Sequence, residues 1–421
     1  MGARVLIVGM GAREHAVVWK LRQSPLVDDI FVAPGNAGTG SLATNIPIQP
    51  KDIDGLVTAA KELRVDFYLA SMDDPQPLGL VDRLTAAGVL CYGPTQAASR
   101  LESSKAFSKQ FMVDHGIRTA AARSFTDYHE ARRYVESLPD RGVVVKASGL
   151  AAGKGVLVCN DTAEALNALD IAMVRRDFGS AGDTVLVEER LYGWETSAQA
   201  FCDGKSALLM PFASDHKRAN DGDTGLNTGG MGAYTPSAFV DGAMTGEVQR
   251  DVVDRVMAGM AALGVPFCGT LFPGLMVTKD GTYVIEFNAR FGDPEAQVVL
   301  PLLEGDLFAV CKAAAEGRLD DVVLNWSNDA AVGVVMASGG YPATYKLGYR
   351  IEGLDEVEKD VLVFQAGTKD DMRGIVTNGG RLLTVVARGA TVAEARKRAY
   401  DNVRRIHFVD AHYRTDIAAG V

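Results

Sequence analysis

Residues 143–158 read VVVKASGLAAGKGVLV, and no other stretch limits the fold as much. Three glycines and two lysines stand between two β-branched runs. That composition suits an anion, because glycine main-chain N–H groups approach a phosphate closely and ammonium groups add charge. A Walker A loop would need more residues ahead of Gly153-Lys154, a Ser or Thr where Gly155 stands, and a helix after it. GVLV instead reads as a strand. The chain is therefore expected to carry a flap, a glycine loop joining two strands, with Lys146 on the entering strand and Lys154 in the loop. An ordinary hairpin with Lys154 idle in water is the competing reading of this loop taken alone.

The first hundred residues alternate strand-like and helix-like segments: Arg4 to Val8, Glu14 to Gln23, Ile30 to Ala33, Ile53 to Leu63, Phe67 to Ala70. This rhythm predicts a parallel sheet with crossover helices, whose ligands sit in the loops after the strands. Those loops are GMGAREH, APGNAGTG and SMDDPQP. The first is not a dinucleotide fingerprint, because Glu14 stands at the third glycine and no acidic residue ends the second strand. It fits anion binding by loop N–H groups, a helix N-terminus and Arg13, and equally a tight turn that needs glycine only for its backbone.

The 421 residues allow two to four domains, and 47% hydrophobic with 23% charged residues is ordinary for a globular chain. A formal net charge of −10 disfavours nucleic acid as a partner. The five cysteines form no C-x-x-C pair, so neither zinc nor a disulfide framework is indicated. Met1 to His15 lacks the apolar length of a signal peptide and no run approaches a membrane span. A cytoplasmic enzyme with no membrane or nucleic-acid partner is the expected class.

Beyond Leu101, Ser103 and Ser104 can cap a helix carrying Phe107, Phe111 and Met112, with Gly116 ending it. In VEERLYGWE, Glu188 at a strand end and Glu195 after Leu191 and Gly193 suit a purine amine and ribose hydroxyls, or are simply a solvated pair. Asp215 to Pro236 holds five glycines and almost no aliphatic residues, so it is expected to be a long structureless loop, of the kind that usually serves function. Its Asp215, His216, Lys217, Arg218, Asn227, Thr228 and Gly229 offer cations and free N–H groups that can close on an anion. Thr245 to Leu263 has the spacing of a core helix. In YVIEFNARFGDPEAQ, Glu286 and Asn288 share one face of a strand and can offer two hard oxygens to a magnesium ion. Arg290 follows on that face, and Asp293 and Glu295 add carboxylates able to hold an amine. Buried partners for structural lysines are the other reading. The last region shows strand-like Val332 to Met336, Val361 to Phe364 and Leu382 to Val386, then a helix opened by Thr391 and Glu394.

Taken together, GMGAREHA, APGNAGT, SKAF, GLAAGKGV, VEERLYGWE, DHKRANDGDTGLNTGGMGAY, IEFNARFGDPE, VVMASGGYP and VTNGGR stand in an order and spacing that resembles the ATP-grasp phosphoribosylamine–glycine ligases, from Val5 to about Ile406. The resemblance implies an α/β fold, α+β in its core: a parallel-sheet domain over 1–101, an ATP-grasp domain over 102–329 with a mobile flap at about 120–190, and a small α/β domain over 330–421. It implies ATP and Mg2+ or Mn2+, with Lys105, Lys146, Lys154, Gly149, Ala152 and Gly153 at the phosphates. Glu188 and Leu191 would attend the adenine, Glu195 the ribose, and Glu286 with Asn288 the metal. Arg290 and Asp293 would stand at the reacting groups, and Gly11, Arg13, Glu14, Asn36, Asp73, Asp215, Lys217, Asn227, Thr228 and Gly229 at the substrates. The implied activity joins glycine to phosphoribosylamine for purine synthesis, by a monomer or weak dimer. The sequence departs from the family at Met10 and Ala12, at Ser71-Met72-Asp73, and at Ser148, Leu226 and Gln365. The N-terminal departures keep a second reading open, an ATP-grasp ligase coupling another carboxylate to a different amine.

Overall fold

The computed structural model describes residues 2–151, 155–372 and 374–421. Strands Ala3–Gly9, Val27–Pro34, Thr44–Asn45, Phe67–Leu69 and Leu90–Tyr92 make a parallel sheet in the spatial order third, second, first, fourth, fifth. Side chains of the first strand alternate between two cores. Val5 and Ile7 pack with Phe67 and Phe308, whereas Leu6 and Val8 pack with Leu56, Leu80 and Leu84. Both faces are covered, which is why these strands read as unbroken apolar runs. The strand order reverses at Ala3–Gly9, so a crevice opens beyond the carboxyl ends of the first and fourth strands. The loops at Gly9 to Gly11 and Ser71 to Asp73 line it.

The middle of the chain builds two antiparallel sheets. Ala122–Phe125, Val185–Glu189, Val143–Ala147 and Val156–Cys159 form one, in that order. Strand therefore stands on both sides of the glycine loop, as the sequence requires, with Lys146 paired to Val156. The second sheet is centred on Cys268–Thr278, which pairs with Trp194–Ser197, Ala200–Asp203 and Gly281–Asn288. Gly274 faces Glu286 while Leu275 faces Val284, so Ile285 is an extra residue in its strand. Such a bulge re-aims the residues beside it.

A third sheet crosses the expected start of the last region. Ser214–Asp215 and Gly232–Thr235 pair onward with Ala330–Ser338, Arg381–Gly389 and Leu362–Gln365. The helix Val392–Val403 covers this sheet, capped by Thr391, whose hydroxyl accepts from the Glu394 N–H, while the Glu394 carboxylate reaches back to the Ala390 N–H. Asp215 to Pro236 is thus not the structureless loop its composition suggests. Arg218–Asn220 and Thr224–Asn227 form a two-stranded ribbon between the two sheet strands. These strands are two to four residues long, too short for a local period to announce them, and the two outer ones take their partners about 20 and about 100 residues away. The expected helix over 245–263 runs from Gly242 to Ala262 and contains one wide, π-type turn at Gln249–Val253. Among the described residues, no helix is long and apolar enough to cross a membrane.

Candidate functional site

One part of the candidate site is built around a carboxylate held by two lysines. Glu188 lies 2.8 Å from Lys146 Nζ and 3.2 Å from Lys109 Nζ, and all three side chains are buried. Lys146 also donates to the carbonyl of the bulge residue Ile285 at 2.9 Å, and Lys109 to the Thr119 hydroxyl and the Ala120 carbonyl. Burial lowers the Lys109 pKa, with Glu188 opposing. Both Glu188 oxygens are engaged by ammonium groups here, and Lys146 is drawn to Glu188 and Ile285. Lys109 was not anticipated, although it follows Lys105 by four residues on one helix face. Lys105 opens the helix Lys105–Asp114, where the Ser104 hydroxyl caps the Phe107 N–H, and its own N–H donates to the Ser148 carbonyl at 2.8 Å. Gly149 donates to the Ala181 carbonyl, and a Cβ there would meet Ala181 Cα at 2.8 Å. Leu191 follows the strand Val185–Glu189, and Glu195 sits in Trp194–Ser197. Ala152, Gly153 and Lys154 lie outside the described residues.

Glu286 and Asn288 do share one face of their strand and are half-buried. Partial burial would raise the Glu286 pKa, but Lys105, Lys217, Lys146 and Arg290 together hold it below the usual carboxylate range. Cations from four separate segments thus act on one ionised carboxylate. Among the described residues, no group of three or more His, Cys, Asp or Glu side chains is placed to hold an ion. Glu286 and Asn288 offer two hard oxygens, which suits a divalent ion that takes its other ligands from phosphate and water. The Asn288 Oδ1 accepts from Arg290 Nη2 at 3.2 Å.

Arg290 links this strand to the amino-terminal crevice. Its Nε lies 3.1 Å from Glu102 and 3.9 Å from Asp73, though neither contact is aligned as a hydrogen bond. Glu102, another residue the sequence did not flag, accepts from the Ala289 N–H at 2.8 Å. Burial raises its pKa to about 7, against the pull of Arg290. Burial would also raise Asp73, but Arg290 and Arg13 keep it below its ordinary value. Arg13 pairs with Glu14 at 2.6 Å and donates to the Phe291 carbonyl at 3.2 Å, while Glu14 accepts from the Gly11 N–H at 2.8 Å. The Asn36 amide donates to the Met10, Gly11 and Gln365 carbonyls. The first two loops of the parallel sheet are therefore locked to each other and to the carboxy-terminal sheet.

Lys217 pairs with Glu195 at 2.5 Å. Thr228 closes the ribbon by donating its N–H and hydroxyl to the Lys217 carbonyl, and its hydroxyl accepts from the Gly230 N–H. Asn227 is exposed at the ribbon end. The Gly229 N–H donates to the Tyr341 hydroxyl at 3.1 Å. Asp293 accepts from Gln297 at 2.7 Å and pairs with Arg381 at 2.6 Å. Burial opposes its ionisation, and Arg381 and Arg13 overcome that. Glu295 is buried against the Ser197 hydroxyl, and burial plus the neighbouring Asp215 charge push its pKa up to about 7. Burial raises Asp215 as well. The site thus combines cations suited to phosphate, gathered around Glu286, with the carboxyls of Asp215 and Glu295, suited to an amine.

Comparison with known proteins extends these observations. Models of the phosphoribosylglycinamide synthetase N domain, ATP-grasp (A) domain and C domain match residues 3–102, 103–296 and 331–420. A phosphoribosylamine–glycine ligase of Allochromatium vinosum is 48% identical over 418 residues, covering 98% of this chain and 97% of its own. One from Vibrio vulnificus is 46% identical over 417 residues, with the same coverage of both chains. The crystal structure of a phosphoribosylamine–glycine ligase from Thermotoga maritima superposes with a TM-score of 0.86 at 31% identity, covering 98% of this chain and all of that one.

Proposed function

The chain belongs to the phosphoribosylglycinamide synthetase family, and we propose that it joins glycine to 5-phosphoribosylamine at the expense of ATP, giving glycinamide ribonucleotide, ADP and phosphate. The observation that carries this reading is the ionised Glu286, which feels Lys105, Lys146, Lys217 and Arg290 at once. Such a cluster suits a triphosphate, whose transfer demands neutralised oxygens more than covalent help.

The glycine carboxylate attacks the γ-phosphorus, the bond to the β-γ bridging oxygen breaks, and ADP leaves with that electron pair. The amine of phosphoribosylamine then attacks the acyl carbon of glycyl phosphate. Phosphate departs, and the amine gives up a proton as the amide forms. Lys105, Lys146 and Lys154 hold the phosphates, Glu188 and the backbone near Leu191 the adenine, and Glu195 the ribose. Since Lys146 and Lys109 cover both Glu188 oxygens, an adenine amine reaches that carboxylate only as Lys146 turns toward the phosphates. Glu286 and Asn288 would hold a Mg2+ or Mn2+ ion, which would supply charge neutralisation at the phosphates. Arg290 and Asp293 face the reacting groups. Asp215 and Glu295, both raised by burial, suit the glycine ammonium, and Lys217 with the Thr228–Gly229 N–H groups suits its carboxylate. Gly11, Arg13, Glu14, Asn36 and Asp73 line the crevice for the ribose phosphate and its hydroxyls.

Acyl phosphates hydrolyse, so closure of the flap before transfer belongs to this reading. A cytoplasmic enzyme acting on small molecules is part of it. The N-terminal substitutions leave this crevice intact: Met10 contributes a carbonyl to Asn36, and Asp73 remains ionised beside Arg290. That favours phosphoribosylamine over a different amine. The deciding measurement is ADP release by the purified protein with glycine and phosphoribosylamine. Turnover that requires both substrates supports the reading, and turnover only with another amine would overturn it.

A further inference from the structure

Arg381 opens the strand Arg381–Gly389 of the carboxy-terminal sheet, opposite Ala337 at a register shift. Its guanidinium leaves that sheet and touches two turns at once. Nη2 lies 2.6 Å from Asp293 Oδ2, and Nη1 reaches the Asp293 carbonyl at 3.4 Å, the Gly230 carbonyl at 3.3 Å and the Gly229 carbonyl. A planar fork with several fixed donors can read a carboxylate and neighbouring carbonyls together, whereas a lysine ammonium is a single point.

The turns it joins are packed without slack. Gly230 has φ +106, and a Cβ there would lie 2.4 Å from Pro294 Cδ. A Cβ on Gly229 would lie 3.0 Å from Arg381 Cζ. Tyr341 completes the arrangement by accepting from the Gly229 N–H, its ring lying so close to Gly380 that a Cβ there would be 2.3 Å from it. Glycines at 230 and 380 are thus required by close approach, and Gly229 sits tight against the guanidinium. Asp293 Oδ2 also faces the first loop of the parallel sheet, 3.7 Å from where a Gly11 Cβ would be. The three parts of the chain meet at this guanidinium.

We propose that Arg381 is a positioning residue of the ligase reaction: with Tyr341 it fixes the Thr228–Gly230 turn against Asp293 in the form that receives the carboxylate and amine substrates. The carboxy-terminal sheet thereby completes a site whose nucleotide half lies elsewhere. This rests on the reading of Asp293, Thr228 and Gly229 as substrate contacts.

The test is steady-state kinetics of Arg381→Ala, Arg381→Lys and Tyr341→Phe, with each of the three substrates varied in turn and thermal unfolding measured in parallel. Arg381→Ala is expected to raise KM for glycine or for the amine roughly 10- to 100-fold, the loss of charge-assisted hydrogen bonds, with KM for ATP within about 3-fold by the same scale. Lysine should not restore the wild-type value, and added guanidinium ion should recover part of the activity of Arg381→Ala. Tyr341→Phe removes one hydroxyl and keeps the ring, so it should raise the same KM by a smaller factor without unfolding the protein. Unchanged KM values for glycine and amine in both Arg381→Ala and Tyr341→Phe would overturn the inference, as would an equal rise for ATP. Failure of the wild-type protein to turn over glycine and phosphoribosylamine would overturn the functional reading instead.

Discussion

Two glycine-rich segments of this chain carry lysines and face the same carboxylate, yet they are held in opposite ways. The described ends of the segment between Ala147 and Val156 are fastened by main-chain bonds from Ser148 to Thr184, Gly149 to Ala181 and Ala147 to Gly155, and by the Lys105 and Ala106 N–H groups, which donate to the Ser148 carbonyl and hydroxyl. The ribbon at 215–236 is clasped from outside. Arg414, 1% exposed, pairs with Asp416 and Asp223 at 2.7 Å each and donates to the Arg218 carbonyl. Asp221 accepts from the Thr415 N–H and hydroxyl, Asp416 from the Gly222 N–H, and His412 meets the Ala219 carbonyl. Glycine content alone therefore does not make a lid. What decides is whether charged side chains from a distant segment fasten the loop, and among the described residues they are seen to fasten the 215–236 ribbon.

Glu286 is where the two segments meet electrically, since the charges of Lys105, Lys146 and Lys217 all hold its carboxyl down. Replacing it by alanine removes the anion that all of them share and one of the two oxygens proposed to hold the metal. ATP turnover by Glu286→Ala should fall by roughly 10³-fold, the scale of losing one preorganised electrostatic partner. An ADP-release assay would read this directly, and unchanged turnover would dissolve the link between the segments.

The clasp supplies the second contrast. Truncating Arg414 removes a buried cation from Asp223 and Asp416, although Asp416 keeps the Gly222 N–H and Asp223 is largely exposed. Such losses run to about 3–5 kcal/mol when every group is buried, and the partial exposure of Asp223 and Asp416 brings the expected loss for Arg414→Ala to about 3 kcal/mol on the same basis. Urea unfolding would measure it. A variant of wild-type stability would mean that the ribbon is held by its sheet pairing rather than by the tail.

Residue by residue, the sequence shows what a short range of chain can encode. The loops of the amino-terminal crevice were legible because parallel strands impose a rhythm, and Glu286 and Asn288 because a strand alternates. Asp215 to Pro236 was not, since Ser214 pairs with Tyr234 and Gly232 with Val334, and neither pairing leaves a local pattern. Lys109 left a readable signal in its spacing from Lys105. Glu102 left none and Arg381 only its place in VTNGGR, because their partners are main-chain atoms and side chains brought together only by the fold.

Burial of Glu295 gives a pH-dependent test of the ribbon wall. Its folded-state pKa of about 7 lies above the ordinary glutamate value, so the native state holds that proton more tightly than the unfolded chain. The associated stability is complete below pH 4.5 or so and is lost as pH rises through about 7. Glu295→Gln lacks this loss. Its stability relative to wild type should improve by about 2 kcal/mol between pH 5 and pH 8, seen as a growing difference in Tm. A constant difference across that range would show that Glu295 ionises freely in the fold.

The smallest effect separates the clasp from the ion pair beside it. Lys217 and Glu195 stand 2.5 Å apart with both side chains 41% exposed, whereas Lys146 and Glu188 stand 2.8 Å apart at 7% and 4%. Water screens the first pair and not the second, so Glu195→Gln should change unfolding free energy by less than about 1 kcal/mol, and less still as salt rises. Glu188→Gln, which strips the charge from between two buried ammonium groups, should cost several times more. A large loss in Glu195→Gln would place the anchor of the ribbon at its exposed lysine instead of at Arg414, and the two glycine-rich segments would then differ in degree rather than in kind.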